Sequence, residues 1–130
     1  MKSEPDVYGW DDLEKDGSGV WDGVRNHQAK NNLAAMEVGD QAFFYHSNIG
    51  REIVGIVEIV EAGLTDPTDE TGKWAAVRVE PRTKLPNVVT LKQVKAEPKL
   101  ADMQLVKLSR LSVCEVQPDE WSVILAMAGI

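Results

Sequence analysis

Residues 53–61 read Ile-Val-Gly-Ile-Val-Glu-Ile-Val-Glu, a β-branched run that is apolar on both alternating faces and carries one glycine, Gly55, in its interior. A strand with apolar residues on both faces has to be covered on both, so it belongs at the centre of a closed or wrapped sheet. Glycine inside such a strand marks a bulge or the close approach of another group. The rest of the chain has to supply that cover.

The neighbouring segments fit this demand. Val38-Gly39-Asp40 turns the chain into a strand from Gln41 to Ser47. Trp74 to Glu80 alternates, with Val77 and Val79 inward and Arg78 and Glu80 outward. Arg110 to Val116 is expected to form a final strand, and the polar stretch from Gly63 to Lys73 an exposed loop. Short helices are expected between the strands. Asp11-Asp12-Leu13-Glu14 opens one that ends near Gly17, and Asn26 to Met36 places Ala29, Leu33 and Met36 on one face. Thr90-Leu91-Lys92-Gln93 is a capping box that opens a helix stopping before Pro98. A last helix starts at Pro118, puts Trp121, Ile124, Leu125 and Ala128 on one face, and ends at Gly129. The order predicts an α+β fold, a small barrel with short helices between its strands, over a single domain of residues 1–130.

Composition narrows the function classes. With 43% apolar and 27% charged residues, the chain has the make-up of a soluble globular protein. It lacks an apolar run of membrane-spanning length, and Met1-Lys2-Ser3-Glu4-Pro5 lacks the apolar core of a secretory signal. A lone cysteine, Cys114, fits a reducing compartment, so a cytoplasmic location is expected. The formal charge is −7; residues 1–65 carry 5 basic and 12 acidic side chains, and residues 66–130 carry 9 of each. That distribution argues against broad binding to a polyanion, which draws its strength from neutralised phosphates. It leaves room for one extruded base held by a few arginines.

Trp21-Asp22-Gly23-Val24-Arg25-Asn26 gathers a flat aromatic, a cation and an amide, and Phe43-Phe44-Tyr45-His46-Ser47-Asn48 ends an aromatic strand in small polar groups. A flat heteroaromatic ligand needs a stacking surface, edge-reading amides and positive charge. Together with Lys2-Ser3-Glu4-Pro5, Gln28-Ala29-Lys30-Asn31 and Ser109-Arg110-Leu111-Ser112-Val113, these blocks resemble the EVE-domain family, in that family's order and over nearly the whole chain. The resemblance implies a PUA-like fold, a small mixed β-barrel flanked by short helices. It also implies a pocket for a modified nucleobase flipped out of DNA or RNA; no cofactor and no metal are expected. Family members usually carry a few apolar residues before the Lys-Ser-Glu-Pro block, so a shortened first strand is expected here.

The candidate ligand site comprises Ser3, Glu4, Trp21, Val24, Arg25, Asn26, Tyr45, His46, Ser47, Asn48, Arg110 and Leu111. Trp21 is placed at a rim by the turn after it and stacks on a base, against the alternative of core packing. Asn26 caps a helix, reads a base edge, or does both. Arg25 and Arg110 pair with phosphate or brace nearby carboxylates. Glu4 accepts from a base amino group or pairs with Arg25 or Arg110. Alternation puts Tyr45 and Ser47 on one strand face and His46 with Phe44 on the other; the Tyr45/Ser47 face, followed by Asn48, is preferred as the ligand side, with His46 hydrogen-bonded in the structure.

Enzymatic alternatives lack their geometry. Ser47 and His46 are strand neighbours pointing to opposite faces, so they cannot form a nucleophile–base dyad. Nucleophile-elbow, phosphate-loop and dinucleotide motifs are missing, and two histidines with one cysteine do not support a deaminase-type zinc site. The expected partner is DNA or RNA carrying a modified base, with no membrane role and a monomer favoured. The alternative is a binding protein for a free nucleotide or another small heterocycle.

Overall fold

The computed structural model describes residues 1–3, 8–21, 26–47, 50–67, 70–72, 74–108 and 111–130. Among these residues five strands form one mixed sheet: β1 (Lys2–Ser3), β2 (Gly19–Trp21), β3 (Gln41–His46), β4 (Glu52–Thr65) and β5 (Ala75–Thr90), in the spatial order β1-β3-β4-β5-β2. The pair β1–β3 is parallel and the other pairs are antiparallel. Among the described residues the helices are α1 (Trp10–Asp16), α2 (His27–Ala34), α3 (Leu91–Ala96), α4 (Gln104–Lys107) and α5 (Pro118–Ala128), with a 3-10 turn at Pro98–Leu100.

The run at 53–61 is the central strand that its two apolar faces require. One face joins Val54, Val57 and Ile59 to a cluster with Trp10, Leu13, Ala29, Leu33, Phe44, Val77 and Val79. The other joins Ile53 and Ile56 to Phe43, Tyr45, Leu85, Val89, Ile124 and Ala128. Gly55 lies opposite Phe44, and the Trp10 ring rests on it so closely that an added Cβ would sit 2.5 Å from ring carbons. The register shifts immediately beside this contact, between Phe44 and Tyr45 and between Ile53 and Gly55. Glycine is required here for a close approach rather than for its backbone angles.

The sheet curls around the first cluster. Trp21 on β2 is three strand steps from Phe44 on β3, about 14 Å across a flat sheet, yet the two ring centroids are 5.5 Å apart in an edge-on contact. Side chains stand roughly perpendicular to a sheet, so this contact reports curvature. On the opposite face the Phe43 and Trp121 rings stack at 3.9 Å and 20°, docking α5.

Several expected elements are present with adjusted ends. Asn26 caps α2 by accepting from Ala29 N at 3.0 Å, and Thr90 and Gln93 complete the reciprocal capping box of α3. Gly129 ends α5 in the left-handed region at φ 84°. Three differences have physical reasons. The loop expected from Gly63 starts later, because β4 continues to Thr65. The strand expected to end at Glu80 continues through Pro81 and Pro86 to Thr90. It can do so because β2 pairs only with Val77, Arg78 and Val79, leaving the following part of β5 as an edge where a missing N–H is tolerated.

The strand expected at Arg110–Val116 is corrected: among the described residues, 111–117 contain none. Leu111 and Val113 are buried as their alternation implies. Their segment is held by isolated bonds instead: Ser112 O accepts from Lys2 N, Val113 O from the Asn32 amide, and Glu115 N donates to Gln104 Oε1. Burial pattern alone does not distinguish a ladder from such scattered pairing.

Gly55→Ala should lower the unfolding free energy by about 1–3 kcal/mol, the usual cost of overpacking a filled core. Urea denaturation of the two proteins checks this; equal midpoints would mean that the Trp10 contact relaxes freely.

Candidate functional site

Short bonds tie the described anchors of the candidate blocks to the end of β3. Ser3 pairs with His46, Ser3 O accepts from Ser47 N at 2.8 Å, and the Ser3 hydroxyl donates to Tyr8 O at 2.5 Å. Lys2 N donates to Ser112 O at 2.9 Å, which brings the 111–113 segment alongside. Asn32 on α2 donates to Val113 O at 2.7 Å, linking the helix capped by Asn26 to the same group. Trp21 reaches it through Phe44. Ser3, Trp21, Asn26, Ser47 and Leu111 thus belong to one connected region. Glu4, Val24, Arg25, Asn48 and Arg110 lie outside the described residues.

Strand alternation divides the remaining candidates, and Trp21 shares a face with His46 rather than with Tyr45. Trp21 contacts Phe44, whose ring also meets Trp10 at 5.6 Å and His46 at 5.6 Å, so the face shared with Trp21 is that of Phe44 and His46. Tyr45 points the other way. It is 6% exposed, packs in the second cluster, and has Lys2 Nζ 6.0 Å from its ring centroid. Burial pushes its phenol pKa up, partly offset by the charge of Arg51. The strand ends at His46, so the alternation expected to put Ser47 on the face of Tyr45 does not extend to Ser47.

His46 has the structural role expected of it. Its Nε2 accepts from Trp10 N at 3.1 Å, which fixes the start of α1 against β3. Burial lowers the pKa of the imidazole from its ordinary 6.5, while Glu52 and Asp11 pull the other way. Asn26 is exposed, and its Oδ1 is committed to the cap; its two amide hydrogens remain to meet a ligand. Trp21 is half-buried, edge-on to Phe44, and part of the residue stays accessible. Leu111 is 5% exposed and acts as packing. Cys114 is half-buried; its thiol donates to Leu111 O at 3.3 Å, and burial raises its pKa, which suppresses the reactive thiolate.

A cavity of about 440 Å³ lies apart from Trp21, His46 and Ser47, and Tyr45, Phe43, Trp121, Asn32, Met36 and Met103 are among its walls. Sequence reasoning missed it, because it forms between β3, α2 and α5, elements distant in the chain. A second, shallow groove of about 380 Å³ is lined by Gly50, Arg51, Thr90, Leu91, Lys92 and Lys95. Among the described residues, no group of three or more His, Cys, Asp or Glu side chains could hold a metal. No described helix is long and apolar enough to cross a membrane.

The curled mixed sheet with short helices defines a PUA-like α+β domain, the architecture shared at TM-score 0.59 and 12% identity with an ASCH domain from Zymomonas mobilis. The chain belongs to the EVE domain family, which it matches over residues 1–127. It is 33% identical to thymocyte nuclear protein 1 of Danio rerio over an alignment covering 98% of this chain and 70% of that protein. Across the curated relatives compared, the match spans from 51% to 71% of their lengths. A protein from Agrobacterium tumefaciens superposes with a TM-score of 0.95 at 42% identity, over 100% of this chain and 91% of the other. The human THYN1 protein, solved in complex with 5-methylcytosine-containing DNA, superposes at 0.89 and 30% identity, over 100% and 96% of the two chains.

His46 contributes to the pH dependence of stability, as does the buried Met1 amino group, whose pKa burial pulls down from 8.0 to about 6. The folded pKa of His46 lies below the unfolded value of 6.5, so the unfolded chain binds more protons as the pH drops past that value. Stability present above about pH 6.5 is therefore lost on acidification. Unfolding free energies at about pH 7.5 and about pH 5 should differ in that direction, and His46→Gln, which keeps an acceptor for Trp10 N but cannot titrate, should reduce the difference. An unchanged slope in the variant would assign the pH dependence to other groups.

Proposed function

We propose that this protein is a non-catalytic reader of DNA carrying a modified nucleobase, which it takes out of the stack and holds at the end of β3. The observation that carries this reading is its likeness, over the whole chain, to a human protein solved with 5-methylcytosine-containing DNA. The site chemistry supports it. The accessible part of Trp21 offers a stacking wall, worth about 1–3 kcal/mol per base. Asn26 Nδ2 and the polar groups at Ser47 and Asn48 supply donors and acceptors for a base edge. Glu4 would accept from an exocyclic amino group, and Arg25 and Arg110 would hold the adjoining phosphates. Discrimination comes mainly from rejection: a base that leaves a buried donor or acceptor without its partner loses about 1–3 kcal/mol per group. Removing a paired base from a duplex costs a few kcal/mol, which favours weakened or single-stranded sites, in DNA or in RNA.

Trp21→Ala should weaken binding to a 5-methylcytosine oligonucleotide by roughly 10- to 100-fold, the equivalent of losing one base stack. Trp21→Phe should retain much of the affinity, since it keeps an aromatic face and the contact with Phe44. Titration by fluorescence anisotropy, with circular dichroism to verify folding, tests this. Equal binding by the alanine variant and the parent removes the stacking role.

A second reading, a site for a free nucleotide or another small heterocycle, has one observation in its favour. The cavity of about 440 Å³ has aromatic walls, including Tyr45, and is of the size that small ligands occupy. Competition separates the two. Under the reader hypothesis, free 5-methyldeoxycytidine displaces bound oligonucleotide only at far higher concentration than the oligonucleotide itself. Displacement at comparable concentration would favour the small-molecule site.

A further inference from the structure

Arg51 is the only Lys or Arg between Lys30 and Lys73, in a chain of formal charge −7. It nevertheless lies in a shallow groove with Lys92 and Lys95, all three exposed. Among the described residues the groove lining holds these three cations and no carboxylate, and none of the three forms an ion pair. One carboxylate borders the groove: Glu52 Oε1 lies 3.3 Å from where a Cβ on the lining residue Gly50 would stand. Lys92 and Lys95 are three residues apart on α3 and so share a face. Three cations therefore stand together against a single bordering carboxylate, and none of the three is tied up in an ion pair among the described residues.

The backbone holds this arrangement at some cost. Gly50 and Arg51 are consecutive left-handed residues, at φ 85° and 46°, and Arg51 is the only non-glycine with positive φ among the described residues. A side chain in that region is strained, and such residues concentrate at functional sites. The Arg51 carbonyl accepts from Leu91 N at 2.8 Å, which fastens the β3–β4 connection to the first residue of α3 and brings the three cations to one place.

The groove adjoins the candidate base site. Ser47 and Arg51 stand at the two ends of one five-residue connection between β3 and β4. His46, Glu52 and Thr90 pair in a row across β3, β4 and β5, so the groove begins within two strand spacings of His46, about 10 Å. A short run of nucleic-acid backbone covers that distance.

We infer that Arg51, Lys92 and Lys95 form a phosphate-binding groove that holds the backbone of the DNA strand beside the base read at Trp21. The inference rests on the reader function proposed above and names a contact surface that function does not require. The groove adds affinity without sequence or modification preference, because phosphates carry no base information. It also keeps the electrostatic attraction local in an otherwise acidic protein.

The test measures affinity for a DNA duplex containing one 5-methylcytosine, and for the same duplex unmodified, over a range of salt concentrations. Three phosphate contacts contribute about 0.9 each to the slope of log affinity against log salt on B-DNA. The triple variant Arg51→Gln, Lys92→Gln, Lys95→Gln should therefore have a slope shallower by about 2–3, with the methylated-to-unmodified affinity ratio unchanged. An unchanged slope overturns the groove while leaving the reader function standing. If the parent shows no preference for the methylated duplex, yet the variant's slope still falls, the reader function fails and the groove holds. A folding defect is separated by Arg51→Gly, which removes the charge and the strain together. It should melt no lower than the parent and bind more weakly; parental affinity in that variant overturns the role of Arg51.

Discussion

The contact between the Trp10 ring and the bare backbone of Gly55 fixes how the sheet and its cover fit together. It lets an indole lie flat on the central strand, next to Phe44, where any Cβ would collide. From there Trp10 N reaches His46, which pins the start of α1 to the end of β3. Phe44, in register with Gly55, becomes the common neighbour of Trp10, Trp21 and His46. Curvature, helix placement and the approach of β2 to β3 all depend on that one missing side chain.

The candidate site grows out of this packing. The Trp21 indole is steadied by its perpendicular contact with Phe44, so the proposed aromatic wall is in place before any ligand, which would spare ordering cost on binding. The short bonds among Ser3, Ser47, Lys2 and Ser112 bring residues from opposite ends of the chain together at the end of β3. A protein with net charge −7 gains little from long-range attraction to DNA, so under the proposed reader function recognition would rely on stacking, edge contacts and a few local cations.

Much of this was legible in the residues, and the failures have causes. The two-faced apolar run and its glycine specified a central strand with a close contact, because local pattern and tertiary demand agree there. The caps at Asn26 and Thr90 were readable because their partners lie three residues away. The length of β5 was not, since Pro81 and Pro86 break a strand unless it is an edge, and edge status depends on how short β2 is. Arg110–Val116 has a strand's alternation, but among the described residues 111–116 are held by isolated bonds rather than a ladder. The side of β3 that meets Trp21 could not be read either. That choice is set by the curl of the sheet, which carries β2 across to the Phe44 face while Tyr45 faces α5 and its neighbours.

The central claim is that the base is met by Trp21 on the Phe44 side of β3, and the four indole N–H resonances of the chain report on it directly. In a ¹H–¹⁵N correlation spectrum titrated with a 5-methylcytosine oligonucleotide, with peaks assigned by single Trp→Phe variants, the Trp21 resonance should move most and that of Trp121 should stay in place. A fixed Trp21 peak with a moving Trp121 peak would put the ligand in the cavity on the other side of β3 and contradict the account.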